Sequence, residues 1–201
     1  KKNDLCGISL VSFPIGAAFG IPISNLSSIL STICETHVIV GTHDQITFQK
    51  LNGSLHIYEV PYRSGPSLIK RIIRYSALQL NIIIKLFSSR RNVRGIIFFM
   101  EFPPLLPMIA GRMFKKKVYW LLPSKISLLS NDTLSKLIMV FSRICNNLCH
   151  GIILYSASLV SYWGLEKCHH KVLIAHRHFL DFKNFLLTTP LASRPLLIGY
   201  I

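Results

Sequence analysis

Glu101 is the residue of this chain to which a reaction is most readily assigned. It is the single carboxylate of a long apolar stretch and stands beside Phe102, Pro103 and Pro104 at the tip of a strand-like run. A carboxylate so placed can orient an attacking hydroxyl or face the positive charge of an oxocarbenium-like transition state. The plainer alternative is a solvated loop residue, or an ion pair with Arg112 or Lys125. A second candidate follows the first apolar run. A loop through Gly16, Ala17, Phe19 and Gly20 would bring backbone N–H groups to a helix start, which suits a phosphate or a sugar hydroxyl. Its spacing is not G-x-G-x-x-G, which argues against a dinucleotide fingerprint, and a tight strand-to-helix turn needs the same glycines. Arg177, between His176 and His178, can meet a phosphate of a substrate or serve a hinge. Cys145 and Cys149 share a helical face, and Cys168-His169-His170 come later. Paired C-x-x-C knuckles are lacking and small thiols are common in cores, so no metal is assigned.

These candidates need a frame. Strand-like apolar runs occupy residues 7–13, 37–41, 55–60, 94–100, 117–122, 151–155 and 171–175. Helix-length segments lie between them, at 25–34, 67–88, 105–114, 133–148 and 157–163. Asn131-Asp132 is placed to cap the fourth helix, and Leu51-Asn52-Gly53-Ser54 reads as a turn. In the longest helix Ile69, Ile72, Ile73, Leu80, Ile83, Ile84 and Phe87 fall at helical spacing. Lys70, Arg71, Arg74, Asn81 and Lys85 lie mainly on the other side, the pattern of a helix with one buried stripe. Strands that are apolar throughout, alternating with helices, predict a parallel sheet covered on both faces. With right-handed crossovers this is an α/β, Rossmann-like doubly wound parallel sheet. Ligands in such sheets sit at the carboxyl ends of the strands, where strand order reverses. That rule singles out residues 14–22, 100–104, 122–127 and Ser156.

Composition narrows the partners. With 23 Lys+Arg against 8 Asp+Glu, the net charge of +15 draws the chain to anions: a phosphorylated substrate, an anionic membrane surface or nucleic acid. Few aromatic residues accompany the basic clusters, so a base-stacking platform is not indicated and nucleic acid ranks last. Lys70, Arg71, Arg74 and Lys85 are the candidate membrane contacts, joined by the runs at 90–94 and 115–117; the competing reading is a solvated charged face. No apolar run reaches the ~18 residues of a membrane span. The nearest, 95–111, contains Glu101, Pro103, Pro104 and Pro107. No export signal is read in the apolar stretch 12–23, which Pro14, Gly16, Gly20 and Pro22 interrupt. Five cysteines then read as reduced thiols of a cytoplasmic protein.

The order of these pieces resembles the N-terminal half of a GT-B fold, in particular the retaining glycosyltransferases of family four. The resemblance rests on the opening strand and glycine-bearing loop from Ile8 to Gly20, the strand–proline element from Ile96 to Pro104, and the strand Lys117-Val118-Tyr119-Trp120-Leu121-Leu122. It continues through Ser156 at a strand tip and Lys171-Val172-Leu173-Ile174 onward to Asp181-Phe182-Lys183-Asn184-Phe185. Two positions differ: where family members often carry a histidine, this chain has Met100-Glu101 at one strand tip and Leu121-Leu122-Pro123 at another. The resemblance implies transfer of a hexosyl group from a nucleotide-sugar to a lipid-linked or polysaccharide acceptor. It implies no cofactor beyond that donor substrate, no bound metal, and a location peripheral to the inner face of a membrane. It also makes Ser156 a substrate-binding candidate.

The chain ends in a fresh apolar run, Leu196-Leu197-Ile198-Gly199-Tyr200-Ile201, after Pro190 and Pro195. This is the expected first strand of a second, nucleotide-sugar-binding domain. The organisation read from the sequence is therefore an acceptor-side domain over 1–193 and, over 194–201, a linker with that strand. Alone, such a fragment is expected to be inactive. The reading from another class is a non-catalytic Rossmann-like module that binds phosphate or an anionic membrane surface.

Overall fold

The computed structural model describes residues 7–15, 17–42, 55–62, 67–122 and 133–175. In chain order these form β1 (Gly7–Ile15), α1 (Ala17–Ile33), β2 (Thr36–Thr42), β3 (Leu55–Pro61), α2 (Leu68–Ser89) and β4 (Val93–Phe99). Then come α3 (Leu105–Met113), β5 (Lys117–Leu122), α4 (Thr133–Leu148), β6 (Gly151–Leu154), α5 (Ser158–Tyr162), a 3-10 turn at Glu166–Lys171, and β7 (Val172–Ile174). The seven strands make one sheet in the order β3-β2-β1-β4-β5-β6-β7, with every pairing parallel. The expected Rossmann-like doubly wound α/β fold is what the chain adopts.

Both faces of the sheet are packed because successive strand residues point to opposite sides. On one side Leu10, Val38, Val40, Phe99 and Leu121 meet Ile23 and Leu26 of α1. On the other, Val11, Ile39, Phe98 and Trp120 meet Leu78, Ile82 and Leu86 of α2, Met108 of α3 and Cys145 of α4. The layer α2–α3–α4 is tight where it must be: a Cβ on Gly111 would lie 3.0 Å from Ile96 Cδ1 and 3.1 Å from Val118 Cγ2. Beyond α4, the Lys171 ammonium donates to the carbonyls of Asn146, Asn147 and Cys149 at 3.3, 3.4 and 3.3 Å, satisfying acceptors at that helix end.

Two expectations are corrected. The loop predicted over 14–22 does not exist in that form: β1 runs to Ile15 and α1 is already helical at Ala17, so Gly20 and Pro22 lie inside a helix of 17 residues. Pro22 removes one N–H from the ladder, a cost the rest of the helix carries without breaking. The second concerns α2. Its sheet-facing residues are Leu78, Gln79, Ile82, Leu86 and Ser89, whereas Ile69, Ile72, Ile73, Leu80, Ile84 and Phe87 stand in solvent. Other element ends differ from expectation by a residue or two, as helix and strand termini commonly do.

Candidate functional site

Strand order fixes where a ligand belongs. From β1 the chain winds outward through β2 and β3, then returns to place β4 on the other side of β1 and proceeds to β7. The reversal point is therefore the carboxyl edge between β1 and β4, whose strands lie ~4.8 Å apart. The start of α1 and the loop from Met100 to Pro104 both follow strands that end at that edge. Of the residues assigned to binding, Ala17, Phe19 and Gly20 occupy the first turn of α1, while Gly16 lies outside the described residues. Because α1 begins at the switch point, its unpaired first-turn N–H groups and positive dipole end are directed to that edge. β1 is irregular just before this point: its register with β2 shifts between Ser12 and Ile15, around Pro14, which has no N–H to donate, and pairing resumes at Ile15 with Thr42.

The loop that carries Glu101 is held by residues that sequence reasoning did not single out, Tyr75 and Gln79 above all. Glu101 is half-buried in the β4–α3 loop. Just before it, the Met100 carbonyl accepts from the buried Trp120 indole Nε1 at 3.0 Å, and the Met100 N–H donates to the Leu121 carbonyl at 3.3 Å. Just after it, the Pro103 carbonyl accepts from the Tyr75 hydroxyl at 3.4 Å. Gln79 Oε1 then accepts from the Leu106 N–H at 3.0 Å. Tyr75 also packs against Phe13 at the end of β1, ring centroids 5.7 Å apart, and edge-on to Phe102 at 6.5 Å. Burial pushes the Tyr75 hydroxyl well above the usual phenol range, so it stays a neutral donor. Thus β5 grips the loop on one side of Glu101 and α2 on the other. The same bonds close the start of α3, where Leu106 gives its N–H to Gln79 and Pro107 has none.

Ser156 is placed at the tip of β6, exposed, two strands beyond β4. Its Oγ accepts from the Ser158 N–H at 3.3 Å and lies 2.8 Å from the Ser158 Oγ, an arrangement that supports the start of α5. Lys70, Arg71 and Arg74 are exposed in the first turns of α2. Lys85 is half-buried, its Nζ 5.9 Å from the centre of the Tyr58 ring, so it leans over β3 and away from the exposed isoleucines. Arg177 and the terminal run 194–201 lie outside the described residues. Cys145 and Cys149 are core residues whose thiols burial pushes up to about 12 and about 11. Among the described residues no three His, Cys, Asp or Glu side chains are grouped to hold a metal ion.

No protein-family model and no curated protein sequence matches the chain. Solved structures match it by fold. The UDP-N-acetylglucosamine 2-epimerase from Rickettsia bellii superposes with a TM-score of 0.62 at 10% identity, over 92% of this chain and 49% of that one. Phytolacca americana UGT2, complexed with UDP-2fluoro-glucose and pterostilbene, gives 0.58 at 12% identity, over 80% of this chain and 50% of that one. Anabaena HepE, in complex with UDP and glucose, gives 0.52 at 11% identity, over 87% of this chain and 45% of that one. The chain spans about half the length of these structures. At such identities the likeness is one of fold: the Rossmann-like sheet of GT-B architecture.

Proposed function

We propose that this chain is the acceptor-side half of a glycosyltransferase that moves a hexosyl group from a UDP-sugar to a lipid-linked or polysaccharide acceptor. The observation that carries the reading is the carboxylate-bearing loop at the β1/β4 switch point, clamped by Trp120, Tyr75 and Gln79 on the edge where α1 also starts. A reaction in which cationic character develops at a sugar carbon gains from a carboxylate held in place beforehand. Glu101 in this reading orients the acceptor hydroxyl or faces the developing charge, and the start of α1 meets a phosphate or hydroxyl of the substrate. Ser156, at the tip of β6, is on the same edge and is a further candidate substrate contact, and Arg177 keeps that role from the sequence reading alone. The donor would be held mainly by a second domain of similar size, which the run at 196–201 would open. Retention at the anomeric carbon and kinship with family four are part of this proposal and rest on the sequence resemblance alone.

The fold alone serves other UDP-sugar chemistry, as the epimerase shows by its name. The test uses the protein encoded by the whole gene, supplied with UDP-glucose or UDP-N-acetylglucosamine and a lipid or polysaccharide acceptor. Acceptor-dependent UDP release, lowered by about 10²-fold or more in Glu101→Gln without loss of folding, is the expected result. Epimerised UDP-sugar without transfer would replace this reading by an epimerase. Binding of phosphate or anionic lipid with no turnover would leave the non-catalytic module.

A further inference from the structure

At the opposite edge of the sheet, the six-residue length of β5 away or about 20 Å, α3 ends and β5 and β6 begin. That corner brings together Arg112 from the last turn of α3, Lys117 at the start of β5 and His150 just before β6. The His150 ring is fixed from behind. Its backbone N–H donates to the Val118 carbonyl at 2.7 Å, and the Val118 N–H donates to its Nδ1 at 3.0 Å. With the Nδ1 lone pair so engaged, the neutral ring carries its proton on Nε2. The Arg112 guanidinium lies against the same ring, its Nη1 3.2 Å from Nδ1 and in contact with Nε2. Arg112 has only protons to offer, and one lone pair does not satisfy both it and Val118. Two N–H donors, from Arg112 and from His150 Nε2, thus converge where an acceptor oxygen would satisfy both.

Other cations of this edge have work within the fold. Lys171 caps α4, and Arg90 donates from Nη1 to the Phe87 carbonyl at 3.1 Å. The end of α3 is closed without any side chain. There the Lys115 N–H donates to the Arg112 carbonyl at 2.9 Å and the Lys116 N–H to the Gly111 carbonyl at 3.0 Å. Lys115 holds the position of this turn that favours glycine, at φ 58°, and is the one non-glycine residue of positive φ among the described residues. A Cβ makes that conformation costly, so the turn does not account for a lysine there. Arg112, Lys115 and Lys117 are exposed, and among the described residues no carboxylate forms an ion pair with them.

We propose that Arg112, Lys115, Lys117 and His150 form a binding site for a phosphomonoester at the amino edge of the sheet. A guanidinium, an imidazole N–H and two ammonium groups match the several oxygens and double charge of a monoester, where a carboxylate or a phosphodiester offers two free oxygens and one charge. Burial lowers the His150 pKa from 6.5, and the charges of Arg112, Lys117 and Lys171 lower it further. A dianion in the corner offsets those charges and draws the pKa back up, so the ring itself reports occupancy. The inference stands apart from the transferase reading, because the site lies at the far edge from Glu101 and its binding is measured without sugar donor or acceptor.

The experiment is an NMR titration of the His150 ring in the full chain with methyl phosphate, run beside dimethyl phosphate and sodium chloride at matched ionic strength. Methyl phosphate is expected to give a saturable shift and to raise the His150 pKa, at an affinity about ten-fold or more above that for dimethyl phosphate. Arg112→Gln, at an exposed position, should weaken binding about ten-fold with an unchanged thermal melt. Lys115→Gly should weaken binding several-fold and at the same time raise the melting temperature, since glycine suits the left-handed turn. Opposite movements of binding and stability are not what damage to the fold produces. A response to chloride equal to that for methyl phosphate would overturn the proposal in favour of charge screening. So would dimethyl phosphate binding as tightly as the monoester, or binding that Arg112→Gln leaves unchanged.

Discussion

The two faces of α2 look alike in composition and behave as opposites. Inward, Leu78, Ile82 and Leu86 are buried against the sheet, and two polar residues, Tyr75 and Gln79, are spent on the β4–α3 loop. Outward, isoleucines of the same size meet water. A helix with one apolar stripe declares which side is inside; a helix apolar around most of its circumference does not. What distinguishes the faces is the neighbour each finds. The inner residues find β2, β3 and α3, while the outer isoleucines stand largely in solvent. The inner face of α2 is thus a structural element of the candidate site, and the outer face is exposed among the described residues.

The sharpest way to break this contrast is to make one substitution on both faces. Ile82 is fully buried, and Ile82→Ala should cost about 2–5 kcal/mol, the cavity penalty of a core position. Ile84, 60% exposed, offers no such cavity. Ile84→Ala should lie within about 0.5 kcal/mol of wild type, with alanine's helix propensity acting in its favour. Urea titration of both variants reads the difference. Equal losses would mean that the outer face is buried in the protein in solution, against a partner or a further segment.

The second test stays on the inner face. Gln79→Leu keeps the side-chain volume but deprives the part-buried Leu106 N–H of its acceptor, at a cost of about 1 kcal/mol. Hydrogen exchange at the Leu106 amide should accelerate more than at amides of β1 or β5. If the amide stays protected, Gln79 does not hold the start of α3. In an active full-length enzyme the same variant should lower transfer while leaving Glu101 in place, since it loosens the loop from one side only.

How much of this was legible beforehand follows from the same physics. The strands were readable because a parallel sheet covered on both faces demands unbroken apolar runs, as in Val118 to Leu122 and Ile96 to Phe99. The switch-point rule then located the β1–α1 junction and the Glu101 loop without any motif. α1 was misread because Gly20 and Pro22 are breakers by local propensity, and packing of Ile23 and Leu26 on the sheet overrides them. The residues that grip the loop escaped for another reason. Tyr75 and Gln79 bond backbone groups 28 and 27 residues away, and pairings of that range leave no local trace. The one available hint was a glutamine on the 75–78–82–86 stripe, which makes sense only once the stripe is known to be the buried one.

The smallest expected effect concerns a titrating group at the inner fringe. His37 is buried on β2, its Nε2 3.1 Å from Glu35 Oε1 but without hydrogen-bond geometry. Its ring stacks on His56 at 4.9 Å and on Tyr58 at 6.1 Å between centroids. Burial lowers the His37 pKa from 6.5; the Glu35 carboxylate pulls it up and the His56 ring pushes it down further, with burial the largest cause. The folded protein thus refuses a proton that the unfolded chain accepts near the ordinary histidine value. As pH falls through about 6.5 the unfolded state binds more protons than the folded state, so stability is full above that pH and declines below it. His150, lowered by burial and by the Arg112 guanidinium, tilts the curve the same way. Urea midpoints measured from about pH 7.5 down to about pH 5.5 should therefore fall. His37→Phe, which keeps a flat ring for the stack and has nothing to protonate, should remove part of that slope and leave the His150 share. A slope untouched by His37→Phe would mean that the ring takes up its proton equally well folded and unfolded, and that the fringe beneath α2 is wetter than its packing indicates.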